Sequence, residues 1–283
     1  MNRAAVTAEA FERHRPLAFG IAYRMLGSVA EAEDIVQEAF LRLHREPEVR
    51  APQAFVTTVT TRLSIDRLRS AQRRRETYPG EWLPEPVLGD TAPDPESVSM
   101  ALLVVLESLS PVERAVFLLH DVFDYGYDEI AEIVGKSRDN CRQLALRARR
   151  RVDERRPRFD PEPEQRAKLV AGFFEAIGDG NFEGLVSLLA EDATVVGDGG
   201  GKAPARATPL HGAAKVARFM LGLGRLAVRD DLRVEPAQVN GQPGALVRDA
   251  AGKVITAMSV DVSDGRIAAI RSVVNPDKLA HLT

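Results

Sequence analysis

Cysteine is almost missing from this chain of 283 residues: Cys141 is the only one, so no intramolecular disulfide can form, and no metal-ligating cluster is available. A charged-then-apolar leader and an apolar run of bilayer length are also lacking, which points to a cytoplasmic protein with no membrane insertion. Net charge is slight as well. Lys and Arg number 38 against 41 Asp and Glu, leaving −3, a balance that over the whole chain argues against a nucleic-acid binder. Locally the balance fails, because the run from Lys136 to Arg158 is rich in Arg. With 45% hydrophobic and 28% charged residues, the chain is long enough for two or three domains with substantial cores.

What is present is organised around Tyr127 to Val152, which reads as two helices meeting at a glycine. Ile130, Ala131, Ile133 and Val134 give the first helix a short apolar face, Gly135 supplies a positive φ to end it, and Ser137 caps the second. This spacing predicts a helix-turn-helix. Cys141, Leu144, Ala145 and Ala148 form one inward stripe on the second helix, which makes Cys141 a small buried apolar residue rather than a redox sensor. Arg138, Asn140, Arg142, Gln143 and Arg147 are left to project elsewhere. Those side chains suit a DNA groove, since Arg reads guanine edges, Asn and Gln read adenine, and any guanidinium neutralises phosphate. A solvated basic helix on a bundle is the plainer alternative for this window alone.

Upstream, interior Gly and Pro are scarce from Thr7 to Arg75, and helical periodicity is strong. A first helix capped by Thr7 ends at Gly27; a second spans about Ala30 to Leu43, with Ile35, Val36, Ala39 and Phe40 facing a core. Its outer face is acidic. After a Pro47 to Pro52 break, Ala54 to Arg75 forms a third helix, Thr-rich first and heavily basic at its end. Ser110, Pro111 and Glu113 form a capping box between two further helices that support the helix-turn-helix.

These stretches carry a family resemblance. MLGSVAEAEDIVQEAFLRLHR, the Pro-x-Ala-Phe entry and TRLSIDRLRSAQRRR resemble region 2 of the extracytoplasmic-function sigma factors, within the sigma-70 family, and the helix-turn-helix is similar to their region 4. The resemblance implies that Asp34, Gln37, Glu38 and Leu41 dock on the beta-prime clamp helices of core RNA polymerase, with the beta flap as a further partner surface. It implies that Arg62, Arg67 and Arg69 contact the opened minus-ten promoter strand, with Asp66 orienting a neighbouring Arg. The helix after Ser137 would read the minus-thirty-five element. Thr61-Arg62 stands where many members carry Arg-Asn, and Phe55-Val56 where they carry Trp-Leu, so their minus-ten sequence is not carried over to this chain.

The Pro-, Gly- and acid-rich segment 76–97 reads as a linker, and it holds the only Trp. Trp82 and Leu83, followed by Pro84, are expected to dock on another domain rather than stand in solvent. After a hinge at 158–163, residues 164–283 place helices first and a curved antiparallel sheet after, predicting an α+β cone. The fold expectation is therefore multidomain: all-α region 2 over 1–75, all-α region 4 over 98–157, then the cone. The cone resembles SnoaL-like members of the nuclear-transport-factor-like superfamily, and WLPEP, DGGGK and NPDKL together resemble the sigma factors bearing this extension. Asp198, Gly199, Gly200, Gly201 and Lys202, with Asn275, Pro276, Asp277, Lys278 and Leu279, are expected to contact region 2 and the Trp82 linker. In that scheme Lys202 and Lys278 pair with the linker's acids. Asp192, Asp198 and His211 are the titratable groups that an enzyme in the cone would use, but no pair of them has diagnostic spacing. The reading is a sigma factor with no catalysis and no cofactor of its own, tuned by the fused domain, which a small-molecule or protein signal could address. The competing readings are a one-component helix-turn-helix regulator with a ligand domain, and an enzyme with a DNA-targeting module.

Overall fold

The computed structural model describes residues 3–46, 49–89, 98–154 and 162–282, with 3–10, 73 and 74 described by backbone alone. The chain divides into two compact units: one formed by 1–77 with 103–155, the other by 78–102 with 156–283. The segment expected as a linker therefore belongs mostly to the second unit. Of the expected hinge, residues 158–161 lie outside the described residues.

In the first unit, α1 (Arg3–Leu26), α2 (Val29–Arg45) and α3 (Pro52–Arg75) pack together. Helix α1 begins four residues before Thr7, so Thr7 is not its cap. Ser28 caps α2 by accepting the Glu31 amide, and Ala32, Ile35, Val36, Ala39, Phe40 and Leu43 form its buried stripe. Then come α4 (Met100–Leu106), within which the chain passes from the second unit to the first, and α5 (Pro111–Phe117), opened by the Ser110/Glu113 capping box. A single π-helical turn at Leu118–Val122 leads into α6 (Tyr127–Val134) and α7 (Arg138–Asp153). Gly135, at φ 65° and ψ 44°, takes the left-handed conformation that lets α7 leave α6 at once.

Helix α3 is shared by both halves of this unit, packing on α1 and α2 and also on α5 and α6. Thr57, Thr60, Thr61 and Ser64, the Thr-rich stretch, are fully buried. The hydroxyls of Thr60, Thr61 and Ser64 have no hydrogen-bond partner among the described residues, while Thr57 Oγ1 lies 2.9 Å from Tyr125 Oη. Arg75 ends α3 by donating to the Leu26 carbonyl and pairing with Glu107, which also accepts from buried Arg114 at 2.6 Å. Burial alone would push the Glu107 carboxyl up, yet Arg114 and Arg75 more than reverse this and hold it below the usual carboxylate value.

The second unit contains α8 (Pro163–Gly178), α9 (Phe182–Leu188) and α10 (Ala213–Arg229) against a six-stranded sheet. Its strands are β1 (Leu189–Asp198), β2 (Leu210–His211), β3 (Arg233–Val239), β4 (Gln242–Arg248), β5 (Val254–Ser263) and β6 (Arg266–Val273), in the order β2-β1-β6-β5-β4-β3. The sheet is mixed, because β1 runs parallel to β6, and β2 is a strand the sequence did not announce. Irregular register at Asp261/Val262, Val247/Arg248 and Leu189/Thr194 bends it around a core containing Phe173, Leu185, Met258, Val260 and Ile270. A short α11 (Pro276–Leu279) closes the chain.

Candidate nucleic-acid interface and linker clasp

Helix α2 presents Asp34, Gln37 and Leu41 to solvent, with Glu38 half-exposed and held by Arg42 at 2.7 Å. Leu41 is 51% exposed, an apolar group between the acidic first half of α2 and the exposed Arg42 and Arg45 near its end. Asp34 meets Arg67 at a loose 3.5 Å, and Arg69 is turned to Asp66 at 2.8 Å. Arg62 is differently placed. Its Nε donates to the Ile133 carbonyl at 2.8 Å and its Nη2 to the Glu132 carbonyl at 2.9 Å, at the C-terminal end of α6, where free carbonyls and the helix dipole favour a cation.

On α7, Arg138, Asn140, Arg142, Gln143 and Arg147 are all exposed, as is Leu146, while Cys141 is fully buried with its thiol pushed up by burial. Arg138 leans toward Asp128 and Arg147 toward Glu113, at 3.5 and 3.4 Å. Asn140, Arg142 and Gln143 have no partner among the described residues, which leaves their donors and acceptors available to a groove.

The second unit contains the other candidate site, built around Asp198 at the end of β1. Its carboxylate is fully buried and accepts from Tyr78 Oη at 2.6 Å, from the Leu83 amide at 2.8 Å and from Lys278 Nζ at 2.7 Å. Three donors, one of them cationic, satisfy a charge that would otherwise be costly there. Lys278 also donates to the Leu83 carbonyl and lies 4.3 Å from the Trp82 ring centroid and 4.9 Å from that of Tyr78. Asn275 caps α11 with its Oδ1 and donates from Nδ2 to Tyr78 Oη at 2.9 Å. Burial, reinforced by the bond to Asp198, raises the Tyr78 phenol well above its usual pKa.

The glycines between Asp198 and Lys202 form a packed turn. Gly200 has φ 58°, and a Cβ there would stand 2.2 Å from Asn275 Nδ2 and 2.8 Å from Tyr78 Oη. The structure gives both lysines partners within the cone: Lys278 pairs with Asp198, and Lys202 pairs with Asp277 on the surface.

Farther along, His281 Nε2 meets the Pro86 carbonyl at 2.7 Å. Buried Asn240 accepts from the Val87 amide at 3.1 Å and donates to the Val98 carbonyl at 2.9 Å. Leu88 forms an antiparallel bridge with Val239 on the edge strand β3. The linker is thus pinned to the cone at both ends of its described course. Tyr78, Asn240 and His281 escaped the sequence reading; the only local signal was an aromatic at the linker's entry, since their partners lie far away in the chain. Asp192 and His211 do not line the cone's cavity, and neither does Asp198.

Family profiles place Sigma-70 region 2 on residues 10–74 and Sigma-70 region 4 on 99–152. A protein of Mycobacterium tuberculosis described as ECF RNA polymerase sigma factor SigJ is 42% identical over 291 residues, covering 95% of this chain and 91% of that one. This chain belongs to the ECF RNA polymerase sigma factors. A probable ECF sigma factor SigI of the same species is 36% identical over 70% of this chain and 71% of its own. The crystal structure of the Mycobacterium tuberculosis extracytoplasmic function sigma factor SigJ superposes with a TM-score of 0.77 at 36% identity, covering 96% of this chain and 98% of that one. Family membership removes the one-component regulator, and both α2 and α3 fall inside a sigma region.

Proposed function

We propose that this ECF sigma factor binds core RNA polymerase through the acidic face of α2, meeting the beta-prime clamp, while region 4 sits at the beta flap. In this reading α3 reads the opened minus-ten strand, α7 reads the minus-thirty-five element, and the protein works in the cytoplasm without catalysis of its own. The cone restrains these parts through the linker clasp. Exposed Leu41 amid Asp34, Gln37 and Glu38 is the observation that carries polymerase binding, since an apolar anchor within complementary charge is how a docking helix gains both affinity and orientation.

The restraint follows from length. Elements named for minus-ten and minus-thirty-five lie about 25 base pairs apart, roughly 85 Å at 3.4 Å per base pair. A compact unit of the first unit's size has a radius of gyration of about 14 Å. Regions 2 and 4 packed through α3 and α6, with Arg62 engaged on α6, cannot meet both elements at once. Separation needs the linker: fully extended, residues 76–97 reach about 75 Å at roughly 3.4 Å per residue. Pinned to Asp198, Lys278 and Asn240, they do not. The described arrangement is a resting one, and promoter binding requires release of the clasp.

The test is reconstitution with core polymerase on promoter DNA. Open complexes should form only with both present and weaken as salt rises, and cross-linking Lys278 to the linker should block them. Duplex binding without polymerase, at undiminished specificity, would sink the reading.

A further inference from the structure

The cone contains a cavity of about 810 Å³ between the sheet and helices α8 and α10. Its walls are almost wholly apolar, from Phe174 and Ile177 through Phe219 and Met220 to Met258 and Ile270. The size falls within the range of pockets that enclose small molecules. Among the described residues the lining includes no Asp, Glu or His, so it offers no carboxylate or imidazole and no counter-charge for a cation. Its charged residues are Arg206 and Lys253, both exposed, and neither is paired with a carboxylate among the described residues. At the rim, Leu223, Leu226, Val228 and Val234 remain exposed, Val228 at 84%, a concentration of aliphatic surface that solvent alone disfavours.

We infer that this cavity binds an amphipathic monoanion, an apolar hydrocarbon body bearing one carboxylate-like group, and that its occupancy controls the linker clasp. The body covers the aliphatic walls, and the anionic end meets Arg206 or Lys253 at solvent. Coupling rests on the proposed role of the clasp and on one element. Pro276 and Leu279 of α11 line the cavity, and Lys278 between them bonds Asp198 and the Leu83 carbonyl. A four-residue helix cannot shift two of its side chains and leave the third in place. Because α11 forms part of the wall in the clasped state, an occupant gains contact there that it loses when α11 departs. The ligand therefore favours the clasped, restrained form.

Dodecanoate below its micelle concentration is the probe, titrated into the full chain by calorimetry and into the reconstituted initiation system. Saturable binding is expected, with initiation reduced at the same midpoint. Dodecyltrimethylammonium should bind at least about tenfold more weakly, and so should dodecanoate to Val234→Glu, which sets a carboxylate at the exposed rim without touching the core; tenfold is about 1.4 kcal/mol. Lack of saturable binding, equal binding of the cationic probe, or initiation undiminished at saturating dodecanoate would overturn the inference. So would a stable dimer that hides the rim and that dodecanoate does not dissociate. Failure of the chain to bind polymerase in the absence of probe would instead defeat the proposed function and leave the titration unaffected.

Discussion

Single side chains divide into those spent inside the molecule and those left for partners. Lys278 is the clearest of the first kind, since removing its ammonium strands the Asp198 carboxylate in a fully buried position. Lys278→Met should destabilise the cone by about 3–5 kcal/mol, as breaking one side of a buried pair does, and urea unfolding followed by Trp82 emission measures it. Arg142 is of the second kind, exposed with no partner among the described residues. Arg142→Ala should leave the fold intact and weaken promoter binding by about 1–3 kcal/mol, relaxing specificity at one position of the minus-thirty-five element. Binding to a set of single-base variants checks it. The α7 side chains were legible in the sequence because helical spacing alone separates inward from outward. The fate of Arg62 was not, because its partners are carbonyls about seventy residues away.

Between elements, the junction of α1, α3 and α4 depends on one carboxylate. Glu107 bonds Arg75 and Arg114 and has a depressed pKa. A depressed folded value means its stabilisation is complete above the ordinary carboxylate pKa, roughly 4.3, and is lost as pH falls through the lower folded value. Unfolding free energy measured from about pH 5 downward should therefore fall in the wild type, and Glu107→Gln, weaker throughout, should show a flatter profile there. Helix α2 gives the complementary prediction. Reversing Asp34 and Glu38 to Lys should abolish capture by core polymerase while leaving the melting temperature nearly unchanged, because both side chains are at least partly exposed. Pull-down with core enzyme checks the first part and calorimetry the second. Helix existence and caps such as Ser110 and Ser137 were readable locally. The parallel pairing of β1 with β6 was not, since register between strands about 70 residues apart leaves no local mark.

Across the whole chain, the decisive quantity is how far regions 2 and 4 can separate. Truncation after Val274 removes α11 and with it Lys278 and His281, two of the linker's anchors. The truncated chain should bind polymerase as before and initiate at an altered level, measured by run-off transcription, and unchanged output would show that the clasp restrains nothing.

The amino-acid sequence by itself determined the inventory: which segments are helices, which faces are acidic or Arg-rich, and which family the two sigma regions belong to. Those properties follow from spacing within a few residues, where propensity, capping and charge act. Only the tertiary structure decided where the linker goes, which carboxylate Lys278 satisfies, and that Arg62 rests on α6. Each of those depends on burial and on partners brought from distant parts of the chain, and a buried charge takes whichever partner the fold places within hydrogen-bond reach.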